Sequence, residues 1–163
     1  MAVLEHIYNR DAMVKGSYML VLRINRQARF QVGRLGAFTF PSGWYLYIGS
    51  ALRGLDSRLR RHARREKRLH WHIDYLTRWA SMEEAWVVES EEPLECVLAH
   101  IAQSLPGSAI VAAGFGASDC RCATHLFHFR RRPSLAAFVK ALTKEGITVP
   151  LRRWLPPVEP SPG

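Results

Sequence analysis

The sequence has few cysteines and lacks any long apolar run. Its 163 residues contain three cysteines, Cys96, Cys120 and Cys122, and this small, odd set does not resemble the disulfide framework of a secreted domain. The first fifteen residues contain no apolar segment of the signal-peptide kind, and no run reaches the length that spans a bilayer. We therefore expect a cytoplasmic protein that is neither exported nor embedded in a membrane.

Acidic residues are also scarce, because 14 Asp and Glu stand against 23 Lys and Arg, giving a formal net charge of +9. Such an excess predicts a polyanionic partner, and we expect that partner to be nucleic acid. Much of the excess lies between residues 53 and 68; a solvated helix face is the alternative interpretation. The candidate nucleic-acid-binding residues are Arg53, Arg60, Arg61, Arg64, Arg65 and Arg68.

The length suits one domain with a sizeable core. Residues 1–15 show no clear hydrophobic period, and we interpret them as an N-terminal arm. Residues 16–149 are predicted to form the domain. Residues 150–163 are rich in proline and contain too few apolar groups to bury, so we interpret them as an extended or disordered tail.

The order of strand and helix signals predicts an α+β fold. Gly16–Ile24 is an apolar run typical of a central strand. Gly49 is expected to turn the chain at the end of the strand predicted over 44–48. Further strands are predicted over 29–32, 37–40 and 44–48, as an antiparallel meander, and over 82–88, 109–113 and 126–129. Helices are predicted over 55–65, 68–80, 94–105 and 134–144. We expect a small antiparallel sheet flanked by helices, with an extra C-terminal strand and helix.

A strand rich in aromatic residues runs directly into the basic helix. Tyr45 and Tyr47 lie on the strand, while Arg58 and His62 are four apart on the helix and share one face. Phenols, a guanidinium and an imidazole at one place suit a phosphodiester. Glu95 falls on the margin of an apolar helical stripe, where a partly buried carboxylate usually has an arginine or a divalent metal as its partner. A plain surface glutamate is the alternative.

Cys120, Cys122 and His125 lie within six positions and could hold zinc. No second pair of cysteines exists to close such a site, since Cys96 is expected to be alone on its helix. The alternative, which the pattern favours over a zinc site, is a loop whose thiols cap backbone groups. His70 and His72, two apart on a helix, point to opposite sides and are expected to be packed rather than to share a metal.

Two tripeptides resemble the signature of the GIY-YIG nucleases: Gly16-Ser17-Tyr18 and Tyr47-Ile48-Gly49. Arg58, His62 and Glu95 then follow in the order that this family shows. The stretches 69–76 and 119–127 resemble an uncharacterised prokaryotic branch of GIY-YIG-like proteins. The two tyrosines are farther apart than is usual, which we attribute to extra strands within 29–40, and the asparagine that the family carries after the glutamate is missing.

The resemblance implies a metal-dependent endonuclease, linked to DNA repair or to branched DNA. In that mechanism Glu95 would hold one Mg²⁺ or Mn²⁺ ion, and Arg58 would neutralise the phosphate. Tyr18, with Tyr47 beside it, would activate or orient the attacking water, and His62 would assist proton transfer or bind phosphate. The alternative is a non-catalytic nucleic-acid-binding module that keeps the fold and the basic helix.

Overall fold

The computed structural model describes residues 14–158. The predicted N-terminal arm lies outside this range except for its last two residues, as does the end of the predicted tail. In chain order the elements are β1 (Gly16–Ile24), β2 (Ala28–Val32), β3 (Gly36–Phe40), β4 (Gly43–Ala51), α1 (Leu55–Ala63), α2 (His72–Leu76), β5 (Ser81–Glu89), α3 (Glu95–Ser104), β6 (Leu126–Phe129), α4 (Leu135–Lys144) and β7 (Arg152–Trp154).

Five strands form one antiparallel sheet in the order β6-β4-β1-β5-β7. The strand β1 is at the centre and all but one of its residues are buried, as its continuous apolar character predicts. Together with the flanking helices this sheet confirms the predicted α+β class. A second sheet consists of the hairpin β2-β3.

The sheet is covered on both faces, because alternate residues of β1 enter two separate cores. Leu20 and Leu22 pack with α1, α2 and the β2-β3 hairpin. Met19 and Val21 pack instead with α3 and α4. The molecule therefore has helices on each side of a buried sheet, and the ends of its strands are the places where residues from the two sides can meet.

The predicted meander is wrong in its pairing. Strand β4 pairs with β1 along its whole length, Gly16 opposite Ala51 and Ile24 opposite Gly43, while β2 and β3 pair only with each other. Both β1 and β4 are apolar on two faces and need neighbours in the buried sheet, whereas β2 and β3 are only half-buried. The turn expected at Gly49 is also wrong: that residue lies inside β4, and the chain turns at Gly54, which has a φ of 59°.

Two helices are shorter than predicted, for local reasons. The basic helix α1 ends at Ala63, where Lys67 Nζ donates hydrogen bonds to the last carbonyl oxygens of the helix. The helix predicted over 68–80 is reduced to α2, because the Asp74 carboxylate accepts the backbone N–H groups of His70 and Trp71 and so caps a later start.

Two further predictions fail at the C-terminal side. Residues 109–113 do not form a strand, since Ala109 makes one isolated bridge to His128 and the following residues form turns. The tail, expected to bury too little to be ordered, contributes β7 to the sheet edge. There Trp154 is buried and its indole N–H donates to Asp56. Among residues 14–158, no helix is long and apolar enough to cross a membrane.

Candidate functional site

A cleft of about 460 Å³ opens at the end of the sheet where β1 begins and β4 ends. Residues of α1 reach it from one side of the sheet, and the first turn of α3 reaches it from the other. Six of the predicted site residues line it together: Tyr18, Tyr47, Arg58 and Glu95, with the candidate zinc ligands Cys120 and His125. The lining residues are Tyr18, Tyr47, Gly49, Ser50, Leu52, Arg58, Trp71, Pro93, Glu95, Gly116, Asp119, Cys120 and His125.

The pairing of β1 with β4 places the two tyrosines on the same face of the sheet. Tyr18 lies opposite Gly49 and Tyr47 lies opposite Leu20, so the tyrosines are diagonal neighbours. Gly49 leaves the space that the Tyr18 ring occupies, because a Cβ at this position would be 2.6 Å from the Tyr18 hydroxyl. Tyr45 lies two residues before Tyr47 on β4 and does not line the cleft. Its hydroxyl donates to the carbonyl oxygen of Pro41.

Tyr18 forms a buried hydrogen-bonded pair with His62, in which the hydroxyl oxygen and Nε2 are 2.8 Å apart. Burial raises the pKa of Tyr18 to about 12, against the lowering effect of nearby Arg58, and it raises the pKa of Tyr47 well above its ordinary value. Burial, with Lys67 nearby, lowers the pKa of His62 to about 3. Both tyrosines and the histidine are therefore neutral at pH 7, and His62 lies behind Tyr18 instead of lining the cleft.

Arg58 is held at the cleft by an aromatic ring and a backbone carbonyl. Its guanidinium carbon lies 4.3 Å from the centroid of the Trp71 ring, and Nη1 donates to the carbonyl oxygen of Ser50 over 3.3 Å. Trp71 is fixed in turn by its backbone N–H, which donates to Asp74. Cation–π contact and a single carbonyl partner orient Arg58 while leaving donors for an anion in the cleft.

Arg61 serves a different purpose from Arg58. Its guanidinium donates to both oxygens of the fully buried Asp74, over 2.8 and 2.9 Å, and also to the carbonyl oxygen of Arg68. Burial alone raises the pKa of Asp74, but the hydrogen bonds from Arg61 and two backbone N–H groups lower it below its ordinary value. This ion pair joins α1 to the start of α2 and sets the position of Trp71.

Glu95 begins α3 and is half-buried at the cleft, as its place beside the apolar stripe predicts. Burial raises the pKa of its carboxyl group, the Ser50 hydroxyl lowers it, and the nearby Asp119 raises it. Its position is set by Ser17, whose hydroxyl contacts that of Ser50 and accepts the backbone N–H of Leu94. Among the ion pairs of the described residues, none joins Glu95 to an arginine.

Cys96 is not alone, contrary to our expectation. Its sulfur meets those of Cys120 and Cys122 and a ring nitrogen of His125, and all four atoms lie within 4.8 Å of one another. The three thiols are free, and Cys120 Sγ is 3.3 Å from His125 Nε2. This cluster adjoins the cleft through Cys120 and His125, and its donor set could hold a metal ion.

The remaining basic residues lie outside the cleft. Arg60 pairs with Asp56 at 2.6 Å, and Arg60, Arg64 and Arg65 line a second cavity of about 450 Å³. Five of the six candidate nucleic-acid-binding residues are exposed: Arg53, Arg60, Arg64, Arg65 and Arg68. The sixth, Arg61, is committed to Asp74.

Sequence reasoning assigned no site role to four residues of this region: Trp71, Asp74, Cys96 and Asp119. Trp71 and Asp74 looked like parts of one amphipathic helix, and only the capped, shorter α2 gives them separate tasks. Cys96 follows the candidate ligand Glu95 directly, which was an available signal. His72, expected to be packed, accepts the Gly116 N–H and so holds the loop that covers Tyr47.

Comparison with known proteins gives one match. A family model described as the domain of unknown function DUF123 matches residues 17–147. No curated protein and no solved structure matched the chain. The assignment to the GIY-YIG nucleases is therefore wrong: the matching model is that of an uncharacterised family, and no GIY-YIG model accompanies it. The assignment rested on two short tripeptides and on the order in which Arg58, His62 and Glu95 follow them, whereas the DUF123 model covers residues 17–147.

Proposed function

The chain belongs to the DUF123 family, and we propose that it hydrolyses phosphodiester bonds of nucleic acid in a metal-dependent reaction, as an endonuclease acting on DNA in repair or on branched structures. The observation that carries the proposal is the convergence of Tyr18, Tyr47, Arg58 and Glu95 on one cleft. A cation, a carboxylate and two phenols around one cavity form a chemical set that suits an anionic ester.

Arg58 supplies fixed positive charge to the phosphate. Trp71 contacts the face of the guanidinium and the Ser50 carbonyl accepts from Nη1, so the guanidinium keeps N–H donors for two non-bridging oxygens at once. A cation oriented before the substrate arrives stabilises the charge that develops in the transition state, without further reorganisation.

Tyr18 orients the attacking water instead of removing its proton. Burial raises the pKa of Tyr18 to about 12 and lowers that of His62 to about 3, so the phenol holds its proton and the imidazole is a weak acceptor for it at neutral pH. We therefore assign His62 to positioning the Tyr18 hydroxyl through their 2.8 Å hydrogen bond, and Tyr47 to packing beside it.

Glu95 and Asp119 give the cleft two carboxylates, which is the donor type that Mg²⁺ and Mn²⁺ prefer. Their oxygens fit an ion held by one or two protein ligands together with water and substrate oxygens. Such an ion would supply further positive charge against the phosphate. Ser17 and Ser50 fix the start of α3, and thereby hold Glu95 where an ion would face Arg58.

The net charge of +9 supports a polyanionic partner, and the exposed residues Arg53, Arg64, Arg65 and Arg68 provide its sequence-independent contacts. We place the protein in the cytoplasm, where a reducing environment keeps its three thiols free.

The test is cleavage of supercoiled plasmid and of branched DNA with Mg²⁺, with Mn²⁺ and with chelator. We expect nicking only with metal, and a loss of about 100-fold or more in Glu95→Gln, because that variant keeps the shape but loses the charge. Glu92→Gln is the matched control: Glu92 is an exposed acid just before α3 and should cut like wild type. Equal cutting by Glu95→Gln, or cutting in chelator, would contradict the proposal.

A second candidate is a non-catalytic module that binds nucleic acid. It is favoured by the neutral state of Tyr18 and His62, since neither is a ready proton acceptor at pH 7. This candidate predicts salt-sensitive binding with no nicking under any metal.

A further inference from the structure

Four soft ligands come together from three parts of the chain. Cys96 lies in the first turn of α3, Cys120 and Cys122 lie in the loop that follows that helix, and His125 immediately precedes β6. This is the single group of three or more potential metal ligands found among residues 14–158.

The geometry suits a tetrahedral ion. Zinc–sulfur bonds are about 2.3 Å long and zinc–nitrogen bonds about 2.0 Å. At tetrahedral angles these lengths place neighbouring ligand atoms about 3.5 to 3.8 Å apart. The observed atoms are all within 4.8 Å of one another, and Cys120 Sγ is 3.3 Å from His125 Nε2. Three thiols and an imidazole select zinc over Mg²⁺ or Mn²⁺, which prefer oxygen.

We propose that Cys96, Cys120, Cys122 and His125 bind one structural zinc ion. With four protein ligands the site is closed, so the ion has no open position for substrate and acts on the fold. This assignment is independent of the proposed hydrolysis.

The loop between α3 and β6 shows why such an ion would be useful. Residues 105–125 form neither helix nor strand, and an irregular loop of this length within a compact domain is uncommon unless something constrains it. Its His125 end is fixed, because the backbone N–H of His125 donates to Phe115 and its carbonyl accepts from Ile48 of β4. Among the hydrogen bonds of the described residues, none joins the thiol of Cys120 or Cys122 to a strand of the sheet.

Zinc would join this loop to α3 beside the cleft. Cys96 directly follows Glu95, while Cys120 and His125 line the cleft themselves. One ion would therefore fix two walls of the cavity, the first turn of α3 and the loop over Tyr47, at the same time.

The first experiment measures zinc in protein purified under reducing conditions without chelator, by elemental analysis and native mass spectrometry. We expect about one zinc per chain, little or none in Cys96→Ser and Cys122→Ser, and full content in the control His100→Gln. His100 is an exposed potential ligand one turn after Cys96 on the same helix and outside the cluster. A chelator should lower the Tm of wild type by roughly 5 °C or more.

Cobalt titration of metal-depleted wild type provides a test that requires no variant to fold. Bound Co²⁺ should show the thiolate charge-transfer absorption of a tetrahedral sulfur-rich site, with one equivalent at saturation. The proposal is overturned if reduced wild type binds neither zinc nor cobalt and its Tm ignores the chelator. It is equally overturned if two of the three thiols are found joined in a disulfide under the same reducing conditions.

Discussion

At the scale of single residues, the cleft depends on how closely Tyr18 packs against the neighbouring strand. Its ring lies over Gly49, and the hydroxyl, Cζ and Cε2 would all be within 2.9 Å of an added Cβ. Tyr18 is 1% exposed, so the ring cannot move outward without losing its core contacts and its hydrogen bond to His62.

We expect Gly49→Ala to lower the free energy of unfolding by about 2 kcal/mol, because the methyl group overpacks a rigid aromatic contact. Urea unfolding measures this effect. In a Tyr18→Ala background the clash is gone, so the two changes should be non-additive by at least about 1 kcal/mol. Additive effects would show that Gly49 matters for some reason other than room for Tyr18.

At the scale of elements, the link between α1 and α2 is a buried ion pair. Asp74 is fully buried and accepts from Arg61 and from two backbone N–H groups. Its oxygens therefore have the partners that a buried charge needs, and breaking such a pair is costly because the remaining charge loses its partner.

Asp74→Asn should lower the free energy of unfolding by about 3 kcal/mol at pH 7. Because the pKa of Asp74 is lower in the folded state than its ordinary 3.8, its contribution is complete above about pH 4 and is lost as the pH falls through the folded-state value. The difference in the free energy of unfolding between wild type and Asp74→Asn should therefore become smaller as the pH falls. Unfolding at a series of pH values measures this effect.

The matched control for Asp74 is Glu91→Gln, because Glu91 pairs with Lys15 at 3.6 Å in an exposed position. It should change the free energy of unfolding by less than about 0.5 kcal/mol at pH 7. A gap between wild type and Asp74→Asn that stays constant down to pH 3 would contradict the role given to the Asp74 charge.

The sequence predicted those elements whose pattern is local. The apolar run of β1 and the helix predicted over 134–144 are both found where expected, and in the structure Ser134 caps that helix by accepting the N–H of Ala137. The pairing of β4 with β1 and the strand β7 depend on contacts between distant residues, which periodicity does not report. The shortened α2 depends on a local cap by Asp74, a residue that also fits the pattern of a longer helix. Likewise Glu95 could be found from its own helix, whereas Cys96 needed the fold to meet Cys120.

Across the molecule, the residues proposed to bind nucleic acid lie apart from those proposed to act on the phosphate. Exposed arginines such as Arg64 and Arg65 lie beyond the end of α1, away from the cleft that contains Arg58 and Glu95. In the proposed function the former would contribute general attraction to a polyanion, and the latter would act on one phosphate.

The most direct test of the central claim measures Kd and the single-turnover cleavage rate on the same branched DNA with Mg²⁺, for two variants beside wild type. We predict that Glu95→Gln lowers the rate about 100-fold or more and leaves Kd within about threefold. The double variant Arg64→Gln/Arg65→Gln should weaken binding, reduce its salt dependence, and leave the rate of bound DNA unchanged. If binding changes in this way but wild type does not cut the DNA with any metal, the claim of catalysis is contradicted.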